Sequence, residues 1–127
     1  MFDILEIDQQ HLELAHILTR LNDAVKNKEP RADIYQIIDD LIALTRLHFS
    51  TEERLMAQSG YAYTEFHKDK HKELMRDALR LKERLADVGE EMFTDWFNRW
   101  PRTRILAHIQ YADKQLKEHL LKSGDKQ

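Results

Sequence analysis

Seven histidines stand at positions 11, 16, 48, 67, 71, 108 and 119. Histidine is the commonest metal ligand and changes charge close to neutral pH, so its spacing carries chemical meaning. His48 and Glu52 are four residues apart, as are His67 and His71. On an α-helix that offset is about 40°, so the two side chains are neighbours and each pair is able to address one point. His108 and Asp113 are five apart, an offset of about 140° around a regular α-helix. That angle predicts an aspartate reaching sideways to bridge two ions, not one sharing a terminal position with His108. A single histidine pair at helical spacing is ordinary surface decoration. The joint pattern is not.

The faces of these pairs point the same way. His11 aligns with Ala15, Leu18 and Leu21, and Leu41, Leu44 and Leu55 flank the register of His48 and Glu52. His67 and His71 align with Leu74, Ala78 and Leu81. The polar groups therefore sit on, or beside, an apolar stripe. Burying five imidazoles and two carboxylates without partners costs several kcal/mol. A metal removes that objection, because it ligates neutral imidazole and compensates carboxylate charge. Seven ligands are too many for one tetrahedral zinc. They suit two octahedral ions that share bridges. Two divalent ions carry four positive charges. Glu52 and Asp113 return two and a bridging hydroxide a third, which leaves one. Imidazole with carboxylate suits iron, and manganese or zinc less distinctively. Ferritin-type di-iron bundles use two lone glutamates and two Glu-x-x-His motifs. This chain has one such motif, Glu13 to His16, which disfavours that arrangement.

Such a site needs long elements to hold it. The chain has 127 residues, with only 3 glycines and 2 prolines, far below the usual roughly 7% and 5%. Few turn residues mean few turns and long helices. Breakers fall at Asn27 to Pro30, Ser59-Gly60, Val88-Gly89-Glu90 and Ser123-Gly124, and cut the chain into four helical segments. The first runs from about residue 8 to 26, with Asp8 as N-cap and a stripe of Leu12, Ala15, Leu18, Leu21 and Val25. The second runs from about 32 to 58, with an apolar face from Ile34 to Leu47. The third runs from about 64 to 87, with Leu74, Ala78, Leu81 and Leu85 inward. The fourth runs from about 92 to 121, broken or kinked near Pro101. Short connections make neighbours antiparallel, so the expected fold is all-α: an up-down-up-down four-helix bundle with a two-metal core. Residues 1–122 form this domain, and 123–127 read as a polar tail or the start of a linker.

Other classes are set aside by composition. No cysteine is present, which excludes disulfides, thiolate metal sites and iron–sulfur clusters. Net charge is −3, with no nucleic-acid footprint. No segment reads as a secretion signal or membrane span, so the expectation is a cytoplasmic chain with no membrane or nucleic-acid partner.

The sequence resembles the hemerythrin family, in particular its bacterial members. The pieces that carry the resemblance are Ile7-Asp8-Gln9-Gln10-His11, the run His48 to Met56 (HFSTEERLM), His67 to His71 (HKDKH) and His108 to Asp113 (HIQYAD). They occur in the family's order and span most of the chain. The resemblance implies a pair of iron ions. His67, His71 and His108 would hold one, and His11 and His48 the other. Glu52, Asp113 and an oxo or hydroxo group would bridge them. It implies reversible dioxygen binding at an open position on the two-histidine ion. Such a position needs a dry apolar pocket, for which Phe49, Phe66 and Ile105 are the candidate wall. The family usually carries Trp-Leu four and three residues before the last histidine ligand, where this chain has Arg104 and Ile105. Arg104 turned inward would bind an anion or admit water. Turned outward, it would change little.

The expected function is non-enzymatic O2 carriage, storage or delivery. An O2- or redox-sensing input module fused to a C-terminal output domain would use the same irons. An oxidative di-iron enzyme has Arg104 as its sole hint. The remaining singular residues have plainer roles. His16 is expected to be solvated, and His119 to favour a helix C-terminus. Trp96 and Trp100 are expected in core or cap positions, and Met56 and Met75 as core fillers. Lys68, Lys70 and Lys72 form a solvated face, and Asp39-Asp40 lies at the surface.

Overall fold

Scarcity of turn residues is expressed as long helices. The computed structural model describes residues 4–99 and 101–125, all helical or in short connections, with no strand among them. Helix α1 spans Leu5–Lys26, α2 Arg31–Ser59 and α3 Thr64–Asp87. The fourth segment is broken into α4 (Glu90–Arg99), α5 (Pro101–Ala107), a π turn (His108–Ala112) and α6 (Asp113–Asp125). Pro101 opens α5, where its missing N–H costs no helical bond.

The connections follow from their residues. After α1, Lys28 takes a positive φ of 54° and Pro30 an extended ψ of 138° at the start of α2. Gly60 ends α2 in the left-handed conformation, φ 64°, and donates its N–H to the Met56 carbonyl. That conformation suits a residue without Cβ.

Helix α1 packs on α2 and α4; α2 packs also on α3 and α6, and α3 on α4 and α5. Two apolar clusters result. The larger contains Leu14, Leu18, Leu21, Ile34, Ile38, Leu41, Leu81, Leu85, Phe93 and Phe97. The smaller contains Ile7, Leu55, Met56, Tyr61, Leu116 and Leu120. Gln10 on α1 falls between Ile7 of the smaller cluster and Leu14 of the larger, Glu52 on α2 between Phe49 and Leu55, and His108 and Asp113 between Ile105 and Leu116. The bundle thus carries a polar layer between two greasy ones.

Several details differ from the sequence reading. Helix α1 starts at Leu5, so Asp8 lies in its first turn and is not the N-cap. Its inward stripe is Ile7, Gln10, Leu14, Leu18, Leu21 and Val25. Leu12 is 73% exposed and Ala15 is also exposed, because the buried face keeps Leu18, Leu21 and Val25 but runs through Ile7, Gln10 and Leu14 in the first half of the helix. Leu47 is likewise exposed. Helix α6 continues to Asp125, so His119 lies in mid-helix. Its imidazole Nε2 lies 3.2 Å from the Ser59 carbonyl and 3.1 Å from Ser59 Oγ, so it serves the C-terminal end of α2, not of its own helix. Trp96 is half-buried against the core and stacks under Arg84; Trp100 lies outside the described residues. Met56 is fully buried and Met75 partly so. Asp39 pairs with Lys82, and Asp40 accepts from Gln36. Among the described residues no helix is long and apolar enough to cross a membrane.

Candidate metal centre

Four stretches of chain meet in the polar layer. Helix α1 brings His11, α2 brings His48 and Glu52, and α3 brings His67 and His71. The π turn and the start of α6 bring His108 and Asp113. The pairs on α2 and α3 converge as four-residue spacing requires. His108 and Asp113 converge for a different reason. The Asp113 N–H donates to the His108 carbonyl, an i→i+5 bond. A π turn places residues five apart one turn above each other. The two side chains therefore share a face, with His108 Nε2 2.8 Å from Asp113 Oδ1. The sideways reach expected from a regular helix is corrected accordingly.

All seven sequence-predicted ligands come together. One atom each from Glu52, His67, His71, His108 and Asp113 lies within 4.8 Å of the others, and the same holds for His11, His48, Glu52 and Asp113. Glu52 and Asp113 belong to both groups. Both carboxylates are fully buried; His48, His67, His71 and His108 are buried, and His11 is 14% exposed at its side chain. Glu52 Oε1 lies 3.1 Å from Nε2 of His48 and of His71. Asp113 Oδ2 lies 2.7 Å from His11 Nε2 and 3.0 Å from His48 Nε2.

Tautomers show what such an arrangement demands. Gln10 donates its amide N–H to Thr51 Oγ1, so its carbonyl oxygen faces His48 and accepts from Nδ1–H at 2.9 Å. His71 Nδ1–H donates to Glu53 Oε2 at 3.2 Å. With Nδ1 protonated, a neutral ring presents a bare lone pair at Nε2. In both residues that lone pair would face a carboxylate oxygen about one hydrogen-bond length away, which is repulsive. A cation must lie between, either a proton or a metal ion. Geometry points the same way at the other end. Glu52 Oε2, Asp113 Oδ1 and Nε2 of His67 and His108 are buried with no hydrogen-bond partner. His67 Nε2 is 3.1 Å from Asp113 Oδ1, yet that contact is not aligned as a hydrogen bond. Donors aimed at a common centre, not at each other, fit a bound metal.

Without metal, protons do the neutralising. Burial lowers the His48 and His67 pKa values, but the Asp113 and Glu52 carboxylates outweigh it and lift each to about 9. Burial raises Glu52, and the His48, His67 and His71 imidazoles beside it overcome that and hold the carboxyl well below its usual range. Asp113 behaves likewise, with the His108, His11, His48 and His67 imidazoles around it.

Sequence reasoning did not assign Gln10, Thr51 or Glu53. Gln10 had a detectable signal, since Ile7, Gln10 and Leu14 share one helical face. Glu53 had none, because it lies on the flank of α2 beside Glu52. The residues expected to wall a pocket differ in burial. Phe49 is buried, stacks on His71 at 3.9 Å and 10°, and meets His48 and His108 at 5.9 and 6.0 Å. Ile105 is buried nearby in sequence to His108. Phe66 is 61% exposed with Lys70 over its ring, and lines a cavity of about 380 Å³ with Leu74, Arg104 and His108. Arg104 turns outward. Its guanidinium is about half exposed and donates to Asp77 at 3.0 Å. His16 is exposed on α1, away from the centre.

A helical chain that gathers five imidazoles around two shared carboxylates defines a class of cation-binding bundle. The sequence matches the hemerythrin HHE cation binding domain over residues 3–122, and the chain belongs to that family. It is 34% identical to a bacteriohemerythrin of Pseudomonas aeruginosa over 110 residues, 84% of this chain and 68% of the relative. It is 33% identical to a bacteriohemerythrin of Stenotrophomonas maltophilia over 118 residues, 90% of this chain and 75% of the relative. A hemerythrin-like protein of Naegleria gruberi is 24% identical over 112 residues, 88% of this chain and 81% of the relative. No solved structure matches.

Proposed function

We propose that this chain binds dioxygen reversibly at a non-haem di-iron centre and serves O2 carriage, storage or delivery in the cytoplasm. The observation that supports it is the sharing of Glu52 and Asp113 between two ligand groups. In this reading the bundle runs up-down-up-down and residues 1–122 form the domain. His67, His71 and His108 hold one iron, His11 and His48 the other. Glu52, Asp113 and an oxo or hydroxo group bridge them.

Ligand counting supports an open position. One group offers five protein ligands and the other four, so an ion held by His11 and His48 with the two carboxylates would have one protein ligand fewer and room for an exogenous one. A diferrous pair supplies the electrons for reversible dioxygen uptake. The protein's own part is to hold the rings, exclude water and keep charge balanced. Gln10 and Glu53 fix His48 and His71 through their outer nitrogens. Phe49 and Ile105 contribute apolar surface. His11 is the most exposed imidazole of the seven-residue set, which favours the two-histidine end as the accessible one.

The test is metal analysis with optical spectra of the anaerobically reduced protein. Two irons per chain and a colour change on admitting O2 that reverses under vacuum are expected. Fewer than two irons, or a reduced protein unmoved by O2, would sink the reading. Rapid irreversible oxidation would transfer support to the sensing alternative.

A further inference from the structure

The two ends of the centre differ in what holds their histidines from outside. His48 donates its outer N–H to a neutral amide, Gln10, itself fixed by Thr51 inside the protein. His71 donates its outer N–H to a carboxylate, Glu53. Both rings are held firmly. Phe49 stacked on His71 prevents that ring from turning, and its Nε2 faces Glu52 and the interior. What differs is charge.

A carboxylate on the outer nitrogen draws the N–H proton towards itself and makes the opposite nitrogen more electron-donating. An amide carbonyl does this less, since it is neutral. The effect is directional, because the ring conducts it from Nδ1 to Nε2. Glu53 also sits where its charge is open to experiment. Its side chain is 36% exposed, beside a cleft of about 520 Å³ between α2 and α3, bordered by Arg46, Lys68, Lys72 and Glu65. Replacing it by glutamine therefore removes an accessible charge and keeps an acceptor for the buried His71 Nδ1–H.

We propose that Glu53 is a positioning residue that acts through His71 to enrich the three-histidine end of the centre in electron density, while Gln10 leaves the two-histidine end less so. This rests on the di-iron reading above. The consequence is an unequal pair: the ion at His67, His71 and His108 is bound more tightly and favours its oxidised state more.

Glu53→Gln keeps the acceptor oxygen and removes the charge. The expected result is unchanged helicity, with one of two Fe(II) ions bound about 10–100-fold more weakly. The reduction midpoint should move to a more positive value. Glu65→Gln, which alters the same cleft without touching His71, should change neither. Nitrogen NMR of the zinc-loaded wild type gives a second reading that needs no variant: His71 Nδ1 must carry a proton. If Glu53→Gln matches wild type in affinity and midpoint, or if His71 Nδ1 is bare, the proposal is overturned. A wild-type protein that binds no iron pair defeats the di-iron reading instead. A wild type with two irons and an indistinguishable Glu53→Gln defeats only the role of Glu53.

Discussion

Asp113 donates its backbone N–H to the His108 carbonyl five residues earlier, and its carboxylate lies 2.8 Å from the His108 imidazole. One widened turn of helix thus sets both the backbone bond and the side-chain convergence. A π turn is an α-helix with one residue too many, and such turns are frequent at functional sites.

Removing the extra residue tests that relationship. Deleting the exposed Gln110 leaves His108 and Asp113 four apart, a spacing that a regular α-helix places on one face. The deletion variant should retain metal binding and keep Leu116 and Leu120 buried. Inserting one alanine at the same place should disconnect Asp113 and reduce metal content. If the deletion loses metal and the insertion does not, the π turn is not what brings the pair together.

Asp113 faces four histidines. Asp113→Asn should abolish binding of both metals and destabilise the metal-free protein by on the order of 3 kcal/mol, the cost of breaking a buried ion pair from one side. Urea denaturation in chelator, with metal analysis of the untreated protein, reads both effects. A variant that still binds two metals would remove Asp113 from both ligand groups.

The protonated centre makes stability depend on pH. His48 and His67 are raised from 6.5 to about 9. Their contribution is fully present below about 6.5 and is lost as pH rises through about 9. Glu52 and Asp113 are lowered from 4.5 and 3.8. Theirs is present above those values and lost as pH falls through the depressed ones. Melting of the metal-free protein should therefore peak between about 4.5 and 6.5 and decline towards 9. Metal should flatten the alkaline decline, because it ligates neutral imidazole. A metal-free Tm that rises from pH 6.5 to 9 would contradict the network.

Arg104 turns away from the centre towards Asp77. Arg104→Trp should cost about 1 kcal/mol through the lost, half-exposed ion pair. Metal content and the rate of oxidation by air should remain within twofold of wild type. A large slowing of oxidation would show that the arginine opens the site.

The site was more legible in the sequence than its surroundings. Ligands spaced four apart, such as His67 and His71, announce a shared face because α-helical geometry is local. The long helices were legible for the same reason: with breakers so few, Thr64–Asp87 follows from its own residues. Leu12 and Leu47 were misplaced because both are apolar, and an apolar residue at the edge of a stripe is turned inward or outward by the neighbour it meets.

By itself, then, the amino-acid order determined the helices, the seven candidate ligands and their division among four stretches of chain, since each depends on contacts within a few residues. Tertiary structure decided the rest. It widened one turn at His108, placed Gln10 and Glu53 behind two of the imidazoles, and aimed Arg104 at Asp77. Apart from the widened turn, those choices join residues from 18 to 38 positions apart. Which side chains meet at such separations is set by how helices pack, and no local spacing encodes it.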